Sequence, residues 1–272
     1  MRSISRVCDV SLNTVTKLLV DAGKVCADYH DATVRDVKAR RVQCDEIWSF
    51  AYAKAKNVPT AKAAPEGAGD VWTWTALDAD SKLIVSWLVS DGRDSGYAIE
   101  FMDDVAKRLA HRVQLTTDGL KAYLEAVEGA FGADIDYAQL VKLYGQAPEG
   151  QRRYSPPVCI GAHKREIEGK PDRRHVSTSY VERQNLTMRM SMRRFTRLTN
   201  AFTKKIENHE HSLALYFVYY NFVRRHTTLR MTPAMAAGLT GTMHDMAWIV
   251  GLIDAAAPKP GRPARYKTRN SN

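Results

Sequence analysis

Two β-rich runs on either side of a short turn constrain the fold of this chain most. Val71-Trp72-Thr73-Trp74-Thr75-Ala76-Leu77 and Leu83-Ile84-Val85-Ser86-Trp87-Leu88-Val89 flank Asp78-Ala79-Asp80-Ser81. β-Branched and aromatic residues around an Asp/Ser turn predict an antiparallel hairpin. A strand is expected before it, through Val42, Cys44 and Ile47-Trp48, joined by the Ala-, Pro-, Lys- and Gly-rich loop 54–70. After the hairpin the period changes. Ile99, Met102, Val105, Ala106 and Leu109 fall at helical spacing within residues 95–110. Residues 113–117 then read as a fourth strand, 120–131 as a helix and 137–144 as a fifth strand. Residues 146–177 are polar, basic and Pro-rich, and Pro156-Pro157 excludes a regular helix there. A long helix over 177–194, capped by Ser177 or Thr178, and an aromatic helix over 211–224 complete the pattern. A helix between the third and fourth strands suits a parallel crossover.

Three carboxylates sit at telling places in this frame. Asp45 lies in Cys44-Asp45-Glu46-Ile47-Trp48, Asp118 in Thr116-Thr117-Asp118-Gly119, and Glu182 in Tyr180-Val181-Glu182-Arg183-Gln184-Asn185. A carboxylate within an apolar strand is costly unless paired or metal-bound. An Asp at the carboxyl end of a strand is where ligands bind in open sheets. Glu182 shares a helix face with Asn185 and Arg189. Two strand-borne Asp residues and a helix-borne Glu meet the need of two-metal phosphoryl transfer, because two divalent cations about 3.5–4 Å apart repel and require anionic oxygens. The plainer alternatives are a water-facing strand end, an Asp-Gly turn and a solvated helical Glu. Strand alternation sends Glu46 to the face opposite Asp45, so the two are not expected to line one site.

Residues 3–22 predict a helix-turn-helix. Ile4, Val7 and Cys8 suit one helix face, Asp9 the turn, and Ser11 the cap of a second helix with Leu12, Val15, Leu18 and Leu19 at 3–4 spacing. Asn13, Thr14, Thr16 and Lys17 then occupy the exposed face, with Asn13, Thr14 and Lys17 as candidate DNA contacts. An ordinary amphipathic helix pair is the alternative. Two helices alone bury little apolar area, so residues 1–25 are expected to be loosely docked, residues 26–42 to be a linker or short helical connection, and 43–230 to form the main domain.

The 272-residue chain carries a net charge of +10, which favours a polyanionic partner. Residues 183–205 hold Arg183, Arg189, Arg193, Arg194, Arg197, Lys204 and Lys205 without an acid. A basic tail follows within 231–272, with Lys259, Arg262, Arg265, Lys267 and Arg269. Arg189, Arg193, Arg194 and Asn185 are the candidate phosphate contacts of this region. No apolar run approaches the roughly 18–20 residues of a membrane span, and no signal-peptide core is present, so a cytoplasmic protein is expected. Four scattered cysteines form no Cys-x-x-Cys pair, which argues against structural zinc and for reduced, mostly buried thiols.

Four motifs in order resemble a known family. Asp-Glu-x-Trp-Ser-Phe at Asp45, Thr-Asp-Gly-x-x-x-Tyr at Asp118, Tyr-x-Glu-Arg-x-Asn-x-x-x-Arg at Glu182, and Tyr219-Tyr220-Asn221-Phe222-Val223-Arg224-Arg225-His226 followed by Thr232-Pro233-Ala234 are similar to DDE transposases of bacterial insertion sequences, the IS-one group and its relatives. The likeness spans roughly residues 3–240. It implies a ribonuclease H-like α/β fold, a mixed five-stranded sheet with flanking helices preceded by a short helix-turn-helix. It implies Asp45, Asp118 and Glu182 as catalytic ligands of two Mg²⁺ ions, with Mn²⁺ as substitute. It also implies double-stranded DNA as partner, as terminal inverted repeats and as target, and a homo-oligomer. A ribonuclease H-like nuclease that cuts without joining and a non-catalytic DNA-binding repressor remain as alternatives.

Overall fold

The structure, a computed structural model, describes residues 1–145, 158–196 and 201–257. Its strands are β1 (Arg41–Ala51), β2 (Gly69–Asp78), β3 (Ile84–Ser90), β4 (Gln114–Asp118), β5 (Asp136–Tyr144) and β6 (Cys159–Glu168). They form one mixed sheet in the order β3-β2-β1-β4-β5-β6. β1, β2 and β3 are antiparallel neighbours, β1, β4 and β5 run parallel, and β6 returns antiparallel to β5. The first five strands have the ribonuclease H-like arrangement. The sheet has six strands rather than the expected five, because the polar stretch read as a loop contains β6. That strand is exposed along most of its length. Neither face needs apolar residues, so it carries no period-2 signal.

The helices are α1 (Arg2–Val7), α2 (Leu12–Thr33), α3 (Ser95–Arg108), α4 (Ala122–Phe131), α5 (Ser179–Ser191), α6 (Ile206–Val218), α7 (Pro233–Ala236) and α8 (Met246–Ala256). Alternation along β1 divides the core. Val42 and Cys44 join Trp74, Ala76 and Leu115 against Phe101 and Met102 of α3 and Tyr123 of α4. Ile47 joins Leu77 and Ile84 against Val181 of α5 and Leu213 and Phe217 of α6. Tyr216, Phe217, Tyr220 and Phe222 are buried, as their reading as core requires. Asn221 lies in a π-helical turn, Tyr219–Val223, that continues α6. Its side chain accepts from Ile84 N at 3.0 Å and donates to Ile84 O at 2.9 Å, standing in for a neighbouring strand at the free edge of β3.

The turn between α1 and α2 holds Asp9 at φ 49°, the left-handed conformation expected of it. Ser11 caps α2 by accepting from Thr14 N at 3.0 Å. The boundary that follows differs from expectation. Of the linker or short helical connection expected, residues 26–33 are helical and continue the preceding helix: α2 runs on to Thr33, with Cys26 and His30 buried. Gly23 makes that docking possible, since a Cβ there would lie 2.3 Å from His211 Cβ of α6. On the other side Tyr29 meets Trp248 of α8 edge-on at 4.8 Å. α1 contributes no buried residue. Cys8 and Cys159 are exposed, contrary to the expectation of mostly buried thiols, while Cys26 and Cys44 are buried. No described helix is long and apolar enough to cross a membrane. Pro156-Pro157, Arg197 and the basic tail lie outside the described residues.

Candidate active site

Parallel pairing between β1 and β4 ends at Gln43 opposite Thr116. Asp45 and Glu46 follow on β1, and Asp118 ends β4. Here the sheet opens at the carboxyl end of a parallel strand, the usual position for a ligand site. Asp45 faces α5, where Asn185 Nδ2 donates to its Oδ2 at 2.8 Å. Glu46 faces the other way, toward Tyr123 of α4, with its side chain wholly buried. Carboxylate oxygens of Asp45, Glu46 and Asp118 nevertheless all lie within 4.8 Å of one another. The expectation that Asp45 and Glu46 could not share a site is therefore corrected. Alternation fixes their Cα–Cβ directions, but no paired residue fills the opening beyond Thr116, and side chains from both faces meet across it.

Arg93, in the loop after β3, joins this cluster. Its Nε donates to Glu46 Oε2 at 3.0 Å and its Nη2 to Asp118 Oδ2 at 3.2 Å, and its guanidinium lies 5.0 Å from the Trp72 ring centre. Asp118 Oδ1 also accepts from Leu120 N at 3.0 Å. Glu182 lines the same cleft of about 720 Å³, with Asp45, Asp118, Arg93 and Lys142. It stands outside the tight three-carboxylate cluster. Its Oε1 accepts from Lys142 Nζ at 2.5 Å and from the Thr178 hydroxyl. Thr178 is the N-cap residue of α5 but makes no side-chain capping bond; its hydroxyl holds Glu182 instead.

Burial, followed by the charges of Asp118 and Glu182, raises the Asp45 carboxyl to about 7. Burial, followed by the charge of Asp118, also raises Glu46 to about 7, against the opposing pull of Arg93. Near neutral pH both carboxyls therefore retain part of a proton that a cation would displace. Two buried oxygens here, Glu46 Oε1 and Asn185 Oδ1, have no hydrogen-bond partner. The Tyr123 hydroxyl lies near enough to Glu46 to bear on its protonation, yet the two form no well-aligned bond. Hard oxygen donors, mutual repulsion and orphaned acceptors fit a divalent cation of the Mg²⁺ or Mn²⁺ type.

The remaining candidates divide. Asn185 is drawn into the cluster through Asp45. Asn13, Thr14 and Lys17 are exposed on α2. Thr14 is bonded to Ser11, and Lys17 is paired with Asp21. None of the three touches the carboxylates. Arg189 and Arg193 are exposed near the end of α5. Arg194 is turned inward, donating to Asn208 O at 3.0 Å and Thr203 Oγ1 at 3.4 Å, and burial lowers its pKa to about 10. Its guanidinium is engaged by the protein, unlike the open phosphate contact expected. Glu46, Arg93 and Lys142 were not foreseen as site residues. The Asp91-Gly92-Arg93-Asp94 turn and the alternation of Lys142 with Val141 on β5 were the available signals.

No family model and no curated protein matches the sequence. Among solved structures, a chain of the simian T-cell lymphotropic virus intasome in complex with PP2A regulatory subunit B56 gamma is 14% identical with a TM-score of 0.44, over 87% of this chain and 62% of that one. A piggyBac transposase synaptic complex with hairpin DNA is 9% identical with a TM-score of 0.32, over 84% and 60%. The Mos1 strand transfer complex is 11% identical with a TM-score of 0.27, over 74% and 60%. The chain thus spans about 60% of the length of each. What it does is read from its own residues.

Proposed function

We propose that this chain is a DDE-type transposase that cleaves DNA at the ends of an insertion sequence and joins them to target DNA. The observation that carries this reading is the meeting of Asp45 and Asp118 with Glu46 within 4.8 Å, beside a cleft that Asp45, Asp118 and Glu182 line. Asp45, Asp118 and Glu182 would hold the cations, Mg²⁺ or Mn²⁺. Bound there, such cations supply Lewis-acid activation of water and offset charge on the leaving oxygen.

The protein's own part is placement. Asn185 orients Asp45. Arg93 joins Glu46 to Asp118 and brings a fixed positive charge to the cleft, where a phosphodiester enters. Lys142 and Thr178 hold Glu182 at its margin, where Glu182 would hold a cation in place of the ammonium. No side chain forms a covalent bond to DNA. In cleavage, water attacks phosphorus and the 3′-oxygen leaves. In joining, the freed 3′-hydroxyl attacks a target phosphodiester and displaces its 3′-oxygen. The exposed face of α2, with Asn13, Thr14 and Lys17, would read the terminal repeats, and Arg189 and Arg193 would meet phosphates.

Metal substitution tests the reading. Mg²⁺ or Mn²⁺ should support cleavage of DNA carrying the element ends, and Ca²⁺ should permit binding with little turnover, because its looser geometry positions the nucleophile poorly. Equal cleavage in EDTA rules out the site. Cleavage without any joined product assigns the chain to nucleases instead.

A further inference from the structure

A second cleft, of about 280 Å³, lies on the other side of α5. Tyr180, Arg183, Gln184 and Thr187 line it from α5, the stripe turned away from Asn185 and its bond to Asp45. Lys82 from the β2–β3 turn and Tyr220, Arg224 and His226 after α6 complete it. Three cationic side chains and a histidine face one another there, and the Lys82 ammonium also donates to Ala79 O. His226 is held below its ordinary pKa by burial and then by the charges of Lys82 and Arg224, so these groups converge. Its Nδ1 accepts from Leu229 N at 3.4 Å, which leaves Nε2 as a donor. No carboxylate is among the described lining residues. Asp78 and Asp80 act on Lys82 from outside the lining, with their carboxylates bonded to Ser81 and Arg41.

The backbone around this cleft departs from regular geometry in two places. Lys82 takes φ 63°, a conformation that costs a side-chain-bearing residue energy and that glycine adopts freely. The ammonium it delivers lies 3.2 Å from the Tyr180 ring centre. Tyr220 and the entry to Arg224 belong to the π-helical turn, an uncommon element that recurs at functional sites. Strain retained where like charges gather points to a ligand of opposite charge.

We propose that this cleft binds a phosphate group, supplied by the backbone of DNA that passes over α5 away from the carboxylate cluster. The choice of DNA as the source rests on the proposed function; the anion site rests on the cleft alone. Lys82→Gly combined with Arg224→Gln removes two cations, and glycine suits the φ of residue 82, so the turn is preserved. In the full chain, binding of a short labelled duplex of arbitrary sequence is measured across a salt series. The variant should bind every sequence more weakly, with the slope of log K against log salt smaller by about one. Its thermal midpoint should match wild type. The same proteins are titrated with inorganic phosphate by calorimetry. If wild type binds phosphate, the variant does not, and duplex binding is the same in both, the cleft takes free phosphate and DNA is overturned as its source. Unchanged duplex slope and unchanged phosphate binding overturn the site. A wild-type chain that binds no DNA counts against the proposed function, and the phosphate titration still tests the cleft.

Discussion

Asn185 Nδ2 donates to Asp45 Oδ2 at 2.8 Å, across 140 positions of sequence. A carboxylate only accepts, so the amide must turn its nitrogen to Asp45, and its oxygen is left buried without a partner. The bond ties α5 to β1 and sets the direction of the Asp45 carboxylate. Asn185→Ala should lower the affinity for Mn²⁺, followed by paramagnetic resonance of the free ion, by about 10- to 100-fold, the usual cost of losing a partner that orients a ligand. An affinity equal to wild type would mean that Asp45 is aimed by other contacts.

Arg93 and Glu46 should be energetically coupled. The Glu46 side chain is fully buried and that of Arg93 about one-third exposed, at 32%. Arg93→Gln leaves a buried carboxylate without its cation and should cost about 3 kcal/mol in urea unfolding, the low end for a broken buried pair because Arg93 is partly solvated. Glu46→Gln should cost less, and the double variant less than the sum. A double-mutant cycle with additive effects would contradict the pairing.

The docking of α2 depends on a missing side chain. Gly23→Ala would force a methyl group to within 2.3 Å of His211 Cβ, separating α2 from α6. The expected loss is about 1–3 kcal/mol by thermal or urea unfolding, typical of overpacking. A neutral or stabilising effect, as in an open helix, would show that α2 does not lie on α6.

Much of this arrangement was legible in the sequence, and the exceptions have common causes. The β2–β3 hairpin and the helix–strand alternation carry strong periodicity, and Asp45 and Asp118 stand at strand positions that the pattern located. β6 was hidden because its residues are exposed on both faces. The second half of α2 was read only as a linker or short helical connection because its buried stripe includes Ala22, Gly23, Cys26 and His30, small or polar residues that score weakly as core. Glu46 was set aside by a rule of alternation that governs paired strands. On the β4 side pairing ends at Gln43 opposite Thr116, while β1 stays paired with β2, and side chains from both faces reach round that opening. Arg93 is a long-range contact from a loop, and nothing local marks its partners.

Stability should fall on acidification through His30. Its Nε2 bonds Ile84 O at 3.1 Å; the carbonyl only accepts, so Nε2 carries a hydrogen. Burial, then the charge of Arg108, lowers its pKa to about 4. Between the unfolded value of about 6.5 and that value, only the unfolded chain takes up the proton. The stabilisation is complete above about 6.5 and declines as pH falls toward 4, by up to about 3 kcal/mol. His209, lowered by burial to about 3, acts in the same sense. Asp45 and Glu46, both raised, act in the opposite one. His30→Gln should flatten the pH dependence of urea unfolding between about 6.5 and 4 relative to wild type. Parallel curves would show that His30 does not titrate in this way.

The most direct measurement is single-turnover cleavage of DNA carrying the element ends, in Mg²⁺, by wild type and by Asp45→Asn, Asp118→Asn and Glu182→Gln, with duplex affinity measured alongside. Each substitution keeps side-chain size and removes one anionic ligand. Each alone should abolish cleavage while DNA binding stays near wild type, and combining them should add little, because ligands of one site act as a unit. Cleavage at the wild-type rate by Asp45→Asn or Asp118→Asn, with the protein folded and bound to DNA, would contradict the carboxylate cleft as the centre of the reaction.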